Sequence, residues 1–201
     1  MDALAPLRAR YGDRISAYRR EKLARITDEG EQKRGLLAEY CLISALLCVD
    51  PTVSLPLAIH AEPLGKPFLI GLPYAISLSH AGEFAAATVG SEPVGVDVER
   101  TRHITEALAR RICTDAELER LWNRNPTDEG FRDLFSAKEA LVKRSGVGIA
   151  GLKGADLTQK TNAVRQLRFS DYVLSVASES NCEWEVYQCE KDGTLSLRSF
   201  S

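Results

Sequence analysis

The sequence predicts an α+β fold arranged as two similar halves. Apolar residues recur at helical spacing in some stretches and alternate with period two in others. One stretch also echoes another about half a chain away. Glu83-Phe84-Ala85-Ala86-Ala87-Thr88-Val89 and Asp171-Tyr172-Val173-Leu174-Ser175-Val176-Ala177 each run acid, aromatic, then small strand-forming residues. The two halves implied by that echo meet near residues 91–97.

The elements follow in order. Residues 1–30 carry Arg8, Arg10, Arg14, Arg19, Arg20, Lys22 and Arg25, which read as a solvated helical face. Thr27 or Asp28 caps the next helix, with Glu29 in its first turn. That helix carries Leu36, Leu37, Tyr40, Ile43 and Leu47 at core spacing, with Arg34 off the apolar face. Asp50-Pro51 ends it, because a residue before proline disfavours helix. Leu64-Gly65-Lys66-Pro67 is a turn with a lysine at its tip. Strands are expected at 75–79, leading into Ser79-His80-Ala81-Gly82, and at 84–90. In Val94-Gly95-Val96-Asp97-Val98-Glu99 the valines face one way and the two acids the other. Thr105 caps a helix running to Ile112, and Thr114-Asp115-Ala116-Glu117 opens another as a capping box. Residues 123–130 form a polar loop. A helix over 131–146 follows, closed by Ser145-Gly146-Val147-Gly148. Short strands are expected at 163–169, 172–177 and 184–189.

Composition narrows the function. The chain has 201 residues, 44% of them hydrophobic and 27% charged, and a net charge of -2. It is long enough to bury a core without staples. No general basic surface points to nucleic acid. The five cysteines include no CxxC pair and read as reduced thiols, with no zinc site among them. The apolar stretch at 40–49 is too short to span a bilayer, and the N-terminus lacks a leader-like apolar region. A cytoplasmic protein without a membrane partner is expected.

The 131–146 helix holds the main anomaly. Phe131, Leu134, Phe135, Leu141 and Val142 fall on one arc, and Lys138 falls inside it. A lysine there needs a partner or a route to water. Glu139 and Lys143 are four apart and share a neighbouring face. Asp97 and Glu99 supply two carboxylates on one strand face, and Glu139 is the natural third. Such a set suits Mg²⁺, which takes oxygen ligands and is usually held by one or two carboxylates plus substrate phosphates. Lys138 and Lys143 would then face phosphate.

Val-Gly-Val-Asp-Val-Glu at 94–99 is followed by Phe135-Ser136-Ala137-Lys138-Glu139-Ala140-Leu141-Val142-Lys143, with Glu139 lying 42 positions beyond Asp97. This pair resembles the two signature motifs of the 4′-phosphopantetheinyl transferases. Gly65-Lys66-Pro67 and Leu78-Ser79-His80 add matches to the two-lobed, Sfp-type members. The resemblance implies two α/β lobes related by pseudo-two-fold symmetry, residues 1–93 and 94–201, with the active site at their interface. It implies transfer of the phosphopantetheine group of coenzyme A to a serine of an apo acyl or peptidyl carrier protein, with release of 3′,5′-ADP. Asp97, Glu99 and Glu139 would hold Mg²⁺, with Mn²⁺ as the alternative, and Glu139 would also be the candidate general base. Lys143 and Lys138 would neutralise pyrophosphate. Ser79, His80 and Lys66 would sit at the coenzyme A phosphates and nucleotide, and Lys22, Arg25 and Arg34 would grip its 3′-phosphate. A monomer is implied, serving fatty-acid, polyketide or nonribosomal peptide synthesis. Two departures stand out: Phe135 replaces a frequent Trp, and Ala81 a frequent Ser. The competing readings are another Mg²⁺-dependent phosphohydrolase or nucleotidyl transferase, and a catalytically silent carrier-binding protein.

Overall fold

The computed structural model describes residues 5–122, 127–158, 163–179, 183–189 and 195–198. Two short helices, α1 (Ala5–Tyr11) and α2 (Ala17–Ala24), lead into the long helix α3 (Glu29–Val49). Asp28 caps α3: its Oδ1 accepts the Glu31 amide at 2.6 Å. The helix stops at Asp50, ahead of Pro51. Two strands, β1 (Ile59–Ala61) and β2 (Pro67–Leu69), form a small hairpin. A longer one joins β3 (Ala75–Ala81) to β4 (Phe84–Gly90). Leu42, Ile43 and Leu46 of α3 are fully buried in one core with Tyr40, Ile59, Leu69 and Ile76.

Strand β5 (Gly95–Arg100) opens the second group. Helices α4 (Glu106–Ile112), α5 (Asp115–Trp122) and α6 (Asp128–Ser145) follow, then β6 (Val164–Phe169) and β7 (Tyr172–Ala177). β5, β7 and β6 make an antiparallel sheet in that spatial order, with Asp97 opposite Ser175 and Glu99 opposite Val173. Its core gathers Phe131, Ala140, Leu141 and Val142 of α6 with Ala109, Ile112, Leu152 and Ala177. A last hairpin pairs β8 (Val186–Cys189) with β9 (Leu195–Arg198), a strand beyond those expected from sequence.

Most expected boundaries agree within two residues. Helix α6 starts three residues early, because Thr127 caps it by accepting the Gly130 amide at 3.0 Å. Of the polar loop expected ahead of it, residues 123–126 lie outside the described residues. The two echoing segments become β4 and β7, each the second strand of a hairpin. Their aromatics touch: the Phe84 and Tyr172 rings lie 4.7 Å apart, edge to face. Among the described residues no helix is long and apolar enough to cross a membrane.

Two features bring the strands and helix of the site together. Strand β3 runs beside β5 without a regular ladder. Instead, the hydroxyls of Ser77 and Ser79 accept the amides of Val96 and Val98, at 3.1 and 3.3 Å. Side chains thus satisfy backbone donors that a neighbouring strand would otherwise take. On one face of β5, α6 presses directly on the strand at Gly95. A Cβ there would overlap the Ala140 carbonyl oxygen and lie 2.5 Å from the Arg144 amide nitrogen. Only glycine permits that approach. Gly95 alternates in phase with Asp97 and Glu99, so the same close packing sets their side chains against α6.

Candidate active site

Asp97 is the centre. It is 3% exposed, and its Oδ1 accepts a hydrogen bond from Lys143 Nζ at 2.7 Å and another from Ser79 Oγ at 2.9 Å. Lys143 also donates to Ser79 Oγ at 2.9 Å. The other carboxylate oxygen of Asp97, Oδ2, is buried and has no hydrogen-bond partner among the described residues. A buried anionic oxygen left bare is costly, and an electropositive ligand would relieve it. Ser136, on the α6 face toward β5, donates to the Asp97 carbonyl at 3.4 Å.

Glu99 and Glu139 flank this pair electrostatically. Burial and the Asp97 charge push the Glu99 carboxyl up to about 7, opposed by Arg102 and Lys143, with Glu139 adding to the rise. The Glu139 carboxyl is also raised, chiefly by burial and then by Asp97, while Lys143 draws it down. Three carboxylates therefore repel one another around a single ammonium. The Arg102 guanidinium lies 5.7 Å from the Phe135 ring centroid, so the phenyl standing in for Trp serves as its platform.

The motif implies that Asp97, Glu99 and Glu139 hold Mg²⁺ together with substrate oxygens. Among the described residues, no three His, Cys, Asp or Glu side chains converge as a metal-holding group. The Lys143 ammonium, four residues beyond Glu139, is ion-paired to Asp97 instead. The donor chemistry still fits a hard cation, with two or three carboxylates and one bare buried oxygen, provided that substrate oxygens or water complete the shell.

Lys138 requires a larger correction. It does not join the site. Its side chain is fully buried, ion-paired to Glu117 Oε2 at 2.6 Å and donating to the Ala155 carbonyl at 2.9 Å. Glu117 also accepts the amides of Thr114 and Leu157, at 2.9 and 3.0 Å. The pair therefore ties α6 to α5 and to the segment at 155–157. Lys138 belongs to the framework, while Lys143, five residues on, belongs to the site.

The first-half residues divide similarly. Ser79 lies in the cluster. His80 Nε2 lies 3.5 Å from Glu31 Oε1, and the other oxygen of Glu31 takes Arg34 at 2.7 and 3.0 Å. Burial lowers the His80 pKa, with Glu31 opposing and Arg19, Arg34 and Lys143 reinforcing. The structure thus groups His80 with Arg34. Lys66 donates to the Arg144 carbonyl at the end of α6, and burial lowers its pKa. Lys22 stays exposed over the Tyr18 ring at 4.7 Å, and Arg25 is the exposed C-cap residue of α2. Neither is drawn onto the Asp97 cluster.

Sequence reasoning missed Arg19. It is 8% exposed, with Nε 3.4 Å from the buried Glu39 Oε2, and its charge reaches His80. The available signal was Glu39 itself, an acid between Leu37 and Tyr40 on a core helix, which needed a cation.

One consequence is measurable. Glu99 keeps a proton in the folded state from its ordinary value of 4.5 up to about 7, whereas the unfolded chain has released it. Stability therefore falls as pH rises through that window. Glu99→Gln should become increasingly more stable than the parent between about pH 5 and about pH 8, in thermal melts without divalent cations. A stability difference independent of pH would remove Glu99 as the titrating group.

The sequence profile of the 4′-phosphopantetheinyl transferase superfamily matches residues 93–189. A 4′-phosphopantetheinyl transferase of Bacillus subtilis is 28% identical over 152 residues, which is 72% of this chain and 68% of that protein. The 4′-phosphopantetheinyl transferase Sfp of Bacillus subtilis strain 168 is 27% identical over 70% of this chain and 64% of its own length. A holo-[acyl-carrier-protein] synthase of Clostridium kluyveri is 40% identical over 70 residues, 32% of this chain and 52% of its own. The chain spans about two thirds of the length of the Bacillus relatives it matches. The matched span contains Asp97, Glu99, Glu139 and Lys143, the groups that the fold gathers at the α6–β5 contact. Over this span the chain is similar to the 4′-phosphopantetheinyl transferase superfamily.

Proposed function

We propose that this chain transfers the 4′-phosphopantetheine group of coenzyme A to a serine hydroxyl of an apo carrier protein, leaving a holo carrier and 3′,5′-ADP. The observation that carries this reading is the Asp97–Lys143–Ser79 cluster, with Glu99 and Glu139 beside it and Asp97 Oδ2 bare. It offers cationic and cation-binding groups side by side, which transfer from a pyrophosphate requires.

Asp97 and Glu99 would hold Mg²⁺, or Mn²⁺ in its place, with Glu139 as the third carboxylate. When bound, the ion neutralises pyrophosphate charge and polarises its phosphorus–oxygen bonds. Lys143 is the fixed cation for the same oxygens. Glu139 is the base for the acceptor serine: burial raises its affinity for a proton toward the working pH, which suits proton abstraction. His80 and Arg34, with Arg19 behind them, receive the anionic nucleotide end of coenzyme A. In that complex the substrate phosphate replaces Glu31 between His80 and Arg34. Lys66 helps from the β1–β2 turn.

The site lies at the seam of two lobes, 1–93 and 94–201, related by pseudo-two-fold symmetry. Three features support this. Each half has its own core. Each sets one long helix, α3 or α6, on a hairpin. The echoing strands β4 and β7 meet through Phe84 and Tyr172. The protein acts in the cytoplasm as a monomer, without nucleic acid or membrane.

The experiment is intact-mass spectrometry of an apo carrier protein incubated with coenzyme A and this chain. The expected result is one added phosphopantetheine with Mg²⁺ and none with EDTA. A range of carrier proteins left unmodified in Mg²⁺ would overturn the reading.

A further inference from the structure

We propose that Ser79 is a positioning residue for Asp97 rather than a contact for coenzyme A. The proposal rests on the reading of Asp97 as a metal ligand. A serine hydroxyl has one hydrogen to donate and two lone pairs to accept with. All three are used within the protein. The hydrogen goes to Asp97 Oδ1 at 2.9 Å, because an ionised carboxylate can only accept. The lone pairs take Lys143 Nζ at 2.9 Å and the Val98 amide at 3.3 Å. Ser79 is 7% exposed. Nothing remains in its hydroxyl for a phosphate oxygen.

The consequence falls on Asp97. Ser79 and Lys143 both anchor Oδ1, so the carboxylate is held in one orientation and Oδ2 is left bare. The hydroxyl also bridges β3 to β5 through Val98, which couples the seam between the strands to that orientation. A ligand fixed beforehand loses less freedom on binding than a rotating one. Ser77 makes the equivalent seam contact to the Val96 amide at 3.1 Å but has no carboxylate contact among the described residues. It is therefore an internal control for the seam alone.

Mn²⁺ affinity, measured by electron paramagnetic resonance with coenzyme A present and no carrier protein, tests this. Ser79→Ala should weaken Mn²⁺ binding by about tenfold or more, within the range for lost outer-shell hydrogen bonds. Coenzyme A affinity without metal, measured by calorimetry, should not change. Ser79→Thr, which keeps the hydroxyl, should restore Mn²⁺ binding, and Ser77→Ala should leave it unaltered. If Ser79→Ala lowers coenzyme A affinity and spares Mn²⁺, Ser79 is a substrate contact and the proposal fails alone. A parent chain that takes up no Mn²⁺ overturns the metal reading as well.

Discussion

Lys138→Met should cost about 3–5 kcal/mol of stability, the range for removing one partner of a buried ion pair. Glu117 would keep its charge inside the protein, 2% exposed, with the Thr114 and Leu157 amides as its remaining partners among the described residues. At this chain length the loss corresponds to a melting temperature lowered by about 6–20 °C. The double variant Lys138→Met/Glu117→Gln should recover much of it, since the stranded charge is gone. Phosphopantetheine transfer should recover in parallel. Urea unfolding and transfer rates on both variants check this. A Lys138→Met protein of unchanged stability but poor coenzyme A binding would return Lys138 to the active site.

Glu139→Gln should reduce the transfer rate by about 10²–10⁴-fold, the usual contribution of a positioned base. The fold should not suffer. Glu139 is half-buried, and both burial and Asp97 already disfavour its charge. An amide of the same shape relieves that cost, so thermal stability should stay level or rise. Single-turnover kinetics at saturating coenzyme A separate the rate of the step from binding. A variant within about threefold of the parent rate would remove Glu139 from the chemistry, because a base is worth far more.

Much of the site was readable because local rules specify it. Period two in β5 places Asp97 and Glu99 on one face, and the four-residue helical step places Glu139 with Lys143. The α6 arc was also informative: a lysine at position 138 within apolar residues demanded a partner. The partner's identity was hidden. Glu117 reads as a capping-box acid, and it is one, since its amide donates to Thr114 Oγ1 at 3.2 Å and its carboxylate takes the Thr114 amide. A local role already filled gives no sign of a second, tertiary one. Arg19 escaped for the opposite reason. In a stretch dense with cations it looks solvated, and only the Glu39 of another helix shows otherwise. Gly95 reads as a weak strand residue until α6 is packed on it. These three depend on distances between elements, which periodicity does not carry.

The most direct test of the central claim is to quantify 3′,5′-ADP and holo carrier in the same reaction, with coenzyme A, Mg²⁺, apo carrier protein and this chain. A transferase yields one 3′,5′-ADP per holo carrier formed, and neither product without the carrier. Release of 3′,5′-ADP in the absence of carrier, or in excess of holo product, would show coenzyme A being hydrolysed and would contradict the account.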